Sequence, residues 1–403
     1  MNLARLFSAN ALVRVGAAAS GQLFAFLLAE RHGAERSGSI AVGALAAAYF
    51  GSELLAAPLA GRRGDIVGHA PVLRGGASLG AMVGIVGAAS GALPLPFAAL
   101  LLALAAARVI EGLAAALTVP ATLSLVARSS DGDPARRTRL MGLFEVTSLL
   151  AMIVGYVLAG VTWDTLGWAS FLTLPALYLA ARAVVPAEPV PPRGPTPSPR
   201  GTLRVLAELA RQRRFLGFAV AWLTVNAVVG LWMQHTPYLM KLPERSATQA
   251  LVGGFSGSEV GAVFAVWGGT FLVGALAWSA LGGRVPRRAA LSASLLAMLG
   301  VLGCLFAANR GAGPWVLFLA GACVVVESGF TPVALSHLAE VTREGGERGA
   351  AMGVYSLLLG LGQLIGGLVG APVVARWQMD GMLALSAVLA GIALVGVLAV
   401  PRR

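Results

Sequence analysis

The chain has 403 residues, of which 57% are apolar and only 12% charged, and its net charge is +12. A soluble domain carries about 25% charged residues, so these few charges exclude an ordinary water-covered globule and point to lipid as the surrounding solvent. The basic excess does not read as a nucleic-acid footprint, which needs a basic patch with interleaved aromatics. The arginines fall in short runs between long apolar stretches and Lys241 is the single lysine, so no nucleic-acid partner is expected.

A membrane-crossing helix needs about 20 mostly apolar residues. In chain order the sequence predicts such helices over 10–29, 39–60, 72–91, 96–119, 140–161, 167–186, 215–238, 258–281, 289–308, 315–338, 350–373 and 382–399. The expected fold is therefore an all-α polytopic membrane protein of twelve transmembrane helices. The runs are apolar all round, whereas a membrane β-barrel would alternate over about 10 residues per strand. The first run, Ala11 to Ala29, follows Arg5 as the core of a signal peptide would, but it is long enough to span and is followed by many similar runs. It is read as the first helix.

The basic residues then sort by side. Connections after even-numbered helices, together with both termini, hold 21 Arg, and those after odd-numbered helices hold 6 Arg or Lys. Lys and Arg are retained in the cytoplasm during insertion, so both termini are expected there. A bacterial-type inner membrane is the expected location. A miscounted helix would scramble the asymmetry.

The connection 187–214 opens with a proline-rich stretch, Ala187 to Arg200, that reads as an extended linker. Its second part places Leu203, Leu206, Ala207 and Ala210 on one helical face with arginines around it. That pattern fits a short helix on the membrane surface or a disordered basic linker. The expected organisation is a six-helix bundle over 1–186, the linker over 187–214, and a second six-helix bundle over 215–403. Self-similarity supports the halves. Met141-Gly-Leu-Phe144 answers Met352-Gly-Val-Tyr355, Gly155 then falls on Gly366, and Val109-Ile-Glu111-Gly112 answers Val325-Val-Glu327-Ser328.

After the second predicted helix the chain reads Gly61-Arg62-Arg63-Gly64-Asp65-Ile66-Val67-Gly68-His69. This resembles the signature loop of the major facilitator superfamily: Gly61, Asp65 and Gly68 match, whereas Ile66 stands where that family usually has Arg or Lys. The corresponding loop of the second half, Gly282 to Arg288, keeps the basic residues and lacks an Asp. Helix 4 carries Arg108-Val-Ile-Glu111-Gly112-Leu-Ala-Ala-Ala116, similar to the family's Arg, Gly, Ala pattern there. In helix 5, Gly155-Tyr156 replaces the Gly-Pro step often found in proton-driven drug exporters of the family, which weakens that branch.

The resemblance implies a monomeric secondary transporter that moves a small molecule across the bilayer by alternating access and uses no cofactor. It implies a cytoplasmic gate built from Gly61, Arg62, Arg63, Asp65 and Gly68, in which Asp65 accepts hydrogen bonds from the start of a neighbouring helix. It also implies a central cavity lined by helices 1, 4, 7 and 10. Those helices supply the candidate substrate-binding residues Gln22, Arg108, Glu111, Asn226, Trp232 and Glu327, with Trp222, Trp267 and Phe330 as further aromatic walls. Glu111 and Glu327 are the candidate proton-coupling acids. Arg108 is one turn from Glu111 and can pair with it. Glu327 has no basic residue within a turn, and a carboxyl without a countercharge in low-dielectric surroundings can load a proton. Bonding to Ser328 or Thr331 would make it merely structural.

Glu53 and Glu145 read as less central, with Glu145 near Arg14 or Arg139. His235 reads as an interfacial polar residue. The four histidines have no metal-ligand spacing, no Walker-type loop is present, and Cys304 and Cys323 read as small buried residues. An enzyme is therefore not expected. The leading functional expectation is proton-coupled export of small amphipathic compounds, and the alternative is import of an organic anion or sugar.

Overall fold

The computed structural model describes residues 2–33, 36–129, 134–188, 213–281, 284–334 and 348–399. Among them the chain is helical, with no strand. The helices are α1 (Leu3–His32), α2 (Arg36–Val67), α3 (His69–Ala92), α4 (Phe97–Arg128) and α5 (Pro134–Leu166); a 3-10 turn, Gly167–Leu172, then leads into α6 (Thr173–Val184). The rest are α7 (Arg213–Lys241), α8 (Gly257–Leu281), α9 (Arg287–Asn309), α10 (Trp315–Glu327) and α11 (Arg348–Ala399). Helix α11 bends at Gln378, whose φ of 51° is the one positive value outside glycine among the described residues.

Nine helical stretches among the described residues are long and apolar enough to cross a bilayer. Two of them, Arg139–Val184 and Leu357–Ala399, run for 46 and 43 residues, about twice what one crossing needs. The first contains the 3-10 turn and the second the Gln378 bend. Helix α7 is not among the nine; it carries Asn226, Gln234, His235 and Pro237 along its 29 residues. Large apolar side chains such as Leu55 (81% exposed) and Phe318 (82%) stand on the outside, as they do where lipid replaces water.

The helices outrun the predicted spans. α2 continues to Val67 and α4 to Arg128, and α5 begins at Pro134. Charged side chains end an apolar run without ending the backbone hydrogen-bond ladder, so a helix can pass beyond the hydrocarbon. The seven residues before Gly68, expected as loop, are accordingly the last two turns of α2. The predicted tenth span is interrupted rather than ended: regular helix stops at Glu327, a turn follows at 328–329, and helix resumes over 330–334. Residues 335–338 of that span, the linker residues 189–212 with the possible surface helix, Gly282, Gly283 and His337 lie outside the described residues, as do the side chains of Met352 to Tyr355.

The chain clusters into two compact units. The first comprises Met1–Glu35, Ala44–Thr196 and Phe255–Gly268; the second comprises Arg36–Gly43, Pro197–Gly254 and Gly269–Arg403. In the first, α1 packs on α5 and α6, and α3 on α4 and α6. Leu6, Leu73, Leu125, Leu140 and Val185 form its core where α1 begins and α6 ends. There Arg5 donates to the carbonyls of Val184 (3.2 Å) and Ala183 (3.4 Å), and Arg74 to those of Val185 (3.2 Å) and Pro186 (3.3 Å). Two guanidinium groups thus satisfy the orphan carbonyls at the end of α6.

In the second unit α11 packs along α7 and α9, and α9 along α10. The repeat-related glycines do the same job in the two units. A Cβ on Gly155 would lie 2.5 Å from the Val15 carbonyl oxygen of α1, and one on Gly366 would lie 1.9 Å from the Ala227 carbonyl oxygen of α7. Each admits a neighbouring helix backbone that any side chain would exclude.

Candidate functional site

In the first unit the Arg108 Nη1 lies 2.6 Å from the Glu111 Oε2, and both side chains are buried. The expected i, i+3 pair is therefore formed. The guanidinium also sits over the rings of Tyr49 (4.6 Å) and Phe24 (5.6 Å). Aromatic faces from α1 and α2 and a carboxylate from its own helix compensate this buried cation. Glu111 Oε1 has no hydrogen-bond partner.

Two residues read as less central belong to the same region. Glu53 of α2 has Arg14, Glu111 and Arg108 as its charged neighbours. Glu145 of α5 has Arg14. Arg14 of α1, left out of the sequence candidates, is thus a charged neighbour of both acids. Its signal was available in principle, since a charge inside a predicted span is costly and marks function or pairing.

Gln22 forms no hydrogen bond with this cluster. It is 1% exposed and neither amide atom is bonded. Ala18 and Ala19 touch Gly155 and Phe26 packs on Trp163, so Gln22, on the same helical stripe, faces α5.

Of the expected gate, Arg62, Arg63 and Asp65 are exposed along the end of α2. Gly68, with φ of 95°, supplies the backbone conformation that separates α2 from α3, while a Cβ on Gly61 would meet nothing within 4 Å. Asp65 lies 3.6 Å from the His69 Nε2. The carboxylate that meets a helix start here is a different one. Glu188 accepts from the Ala70 N–H of α3 at 2.8 Å and pairs with Arg128 at 2.7 Å.

In the second unit, Glu327 ends regular α10 and makes no hydrogen bond or ion pair among the described residues. Ser328, one of the two residues whose bonding to it would have made it merely structural, donates instead to the Val325 carbonyl at 2.8 Å. Trp222 of α7 stacks between Phe218 (5.9 Å) and Phe330 (5.8 Å). Phe330 follows Glu327 by three residues, across the turn at 328–329. The other α7 candidates are engaged in packing. Asn226 donates to the Trp222 carbonyl at 2.8 Å and faces Gly362. Trp232 donates to Ser386 at 3.0 Å. His235, expected at an interface, is fully buried, with Nε2 3.0 Å from the Gly367 carbonyl oxygen. The glycines of α11 leave room for the ring.

Comparison with curated protein sequences found no match. Among solved structures, a mutant form of the nucleoside transporter NupG superposes with a TM-score of 0.78 at 14% identity, covering 98% of both chains. A D-xylose-proton symporter gives 0.71 at 14% identity, covering 97% of this chain and 96% of that one. A POT family transporter bound to a thioalcohol-conjugated peptide gives 0.70 at 15% identity, covering 98% and 94%. These likenesses show a shared fold. The family model for the Major Facilitator Superfamily matches residues 6–254 and 246–403. An all-helical, apolar chain matched over nearly its whole length belongs to that superfamily, and it is an integral membrane transporter rather than an enzyme.

Proposed function

We propose that the chain is a proton-coupled secondary transporter that exports small amphipathic compounds by alternating access, with Glu327 as the proton carrier. The observation that supports this best is a carboxyl without a countercharge among the described residues, followed three residues on by Phe330, the last ring of the stack Phe218, Trp222 and Phe330. Aromatic faces favour an apolar or cationic body, and a lone carboxyl can exchange a proton for such a body. Arg108 and Glu111 complete the reading as a neutralised pair at the substrate path, with Glu111 as a second acid available for coupling. Twelve crossings, bundles over 1–186 and 215–403 joined by 187–214, cytoplasmic termini, an inner-membrane location and a monomeric state belong to the same proposal. Asp65 with Arg62 and Arg63 is its cytoplasmic gate.

A second reading, proton-driven import of a metabolite, is favoured by the names of two structural neighbours, a nucleoside transporter and a xylose-proton symporter. Purified protein in liposomes separates the readings. Export predicts a proton signal on adding lipophilic cations, lost in Glu327→Gln. Import predicts accumulation of a sugar, nucleoside or organic anion under an inward proton gradient.

A further inference from the structure

The backbone is interrupted directly after Glu327. The Gly329 N–H bonds the Val326 carbonyl at 3.3 Å, three residues back rather than four, and helix resumes with the Val333 N–H bonding the Gly329 carbonyl at 3.3 Å. Pro332 adds to the interruption, because it has no N–H to return to the Ser328 carbonyl. In a bilayer a carbonyl released by such a break must find a donor from a neighbouring helix.

The Val326 carbonyl, which the backbone bonds through the Gly329 N–H, gains two further donors from neighbouring helices. The Trp278 Nε1 of α8 and the Ser294 Oγ of α9 each lie 3.1 Å from the Val326 carbonyl oxygen. The fit around the break is close. A Cβ on Gly329 would lie 2.3 Å from the Trp278 ring, and one on Gly274 would lie 2.2 Å from the Ser328 Oγ. Ser294 is fully buried. Three helices therefore converge on the peptide that precedes Glu327.

We propose that Trp278 and Ser294 are positioning residues: by holding the Val326 carbonyl, they keep α10 open after Glu327 and fix where its carboxyl binds the proton. The inference rests on the reading of Glu327 as proton carrier. Around that carboxyl the titratable neighbours among the described residues are Cys323, one turn earlier on α10, and Cys304 of α9 beside Cys323. No described Arg, Lys, Asp or His of α8 or α9 forms an ion pair with it, so its setting depends on the backbone around it.

The test is infrared difference spectroscopy of the whole protein in lipid, titrated with pH. Glu327→Gln removes the band of the protonated Glu327 carboxyl and so identifies it; a spectrum unchanged by that variant overturns the carrier reading itself. With the band identified, Trp278→Phe and Ser294→Ala each leave one donor in place and preserve the packed ring or a small buried side chain. Each is expected to shift the band and its titration midpoint, the double variant more so, while Ser294→Thr, which keeps the hydroxyl, stays at the wild-type midpoint. A band and midpoint in the double variant identical to wild type overturn the positioning role while leaving the carrier reading intact.

Discussion

Asp164, near the end of α5, holds the first turn of α8 through Ser258. Its Oδ2 accepts from the Ser258 N–H at 2.8 Å and from the Ser258 Oγ at 2.6 Å, while its Oδ1 accepts from the Gly257 N–H at 2.7 Å. A carboxylate at a helix N-terminus meets both unsatisfied N–H groups and the positive end of the dipole. Hydrogen bonds to a charged group contribute roughly 1.5–3 kcal/mol each to net stability. Asp164→Ala is therefore expected to lower the melting temperature in detergent by several degrees, and Asp164→Asn, which keeps one carbonyl acceptor, by less. Melting curves check this; both variants matching wild type would show the cap to be idle.

Arg108 and Glu111 make the opposite kind of prediction, because both charges are buried. Removing one partner leaves the other uncompensated, at a cost of about 3–5 kcal/mol, whereas replacing both with apolar groups can be nearly neutral. Glu111→Leu is expected to destabilise the protein strongly, and Arg108→Met combined with Glu111→Leu to recover much of the loss. A double variant whose loss equals the sum of the two single losses would mean that the pair is not coupled in the fold.

These two contacts differ in how readable they were. The Arg108–Glu111 pair follows from spacing alone, since residues three apart share a helix face. So do the glycine match of Gly155 with Gly366 and the lack of an ion pair to Glu327 among the described residues, each a property of one helix and its repeat. Asp164 gives no such signal, because its partners are 93 and 94 residues away and nothing local in α5 names them. Glu53 was set aside for the same reason: its neighbours Arg14 and Glu111 come from α1 and α4. The surroundings of Gln22 were hidden for a related reason. Helix periodicity places it on the stripe facing α5, but the sequence could not say which stripe of α1 meets which helix. The gate motif was legible as residues and misread as loop, since Arg62, Arg63 and Asp65 stay helical up to Gly68.

The repeat-related glycines offer a matched pair of tests with an internal control. Gly366→Ala would place a Cβ 1.9 Å from the Ala227 carbonyl oxygen, and Gly155→Ala one 2.5 Å from that of Val15, whereas a Cβ on Gly321 would meet nothing within 4 Å. Overpacking a close helix contact costs about 1–3 kcal/mol. The expected order of thermal stability is Gly321→Ala equal to wild type, then Gly155→Ala, then Gly366→Ala. Equal stability for all three would contradict the close approach of α5 to α1 and of α11 to α7.

The central claim is that Glu327 carries the proton. Its most direct test is the proton signal of purified protein in liposomes on addition of a lipophilic aromatic cation, compared between wild type and Glu327→Gln over a range of pH. The account predicts a pH-dependent proton release from wild type and none from the variant, with the variant still folded and still binding the cation in detergent. A Glu327→Gln protein that releases protons like wild type would contradict it and pass the role to Glu111 or Glu53.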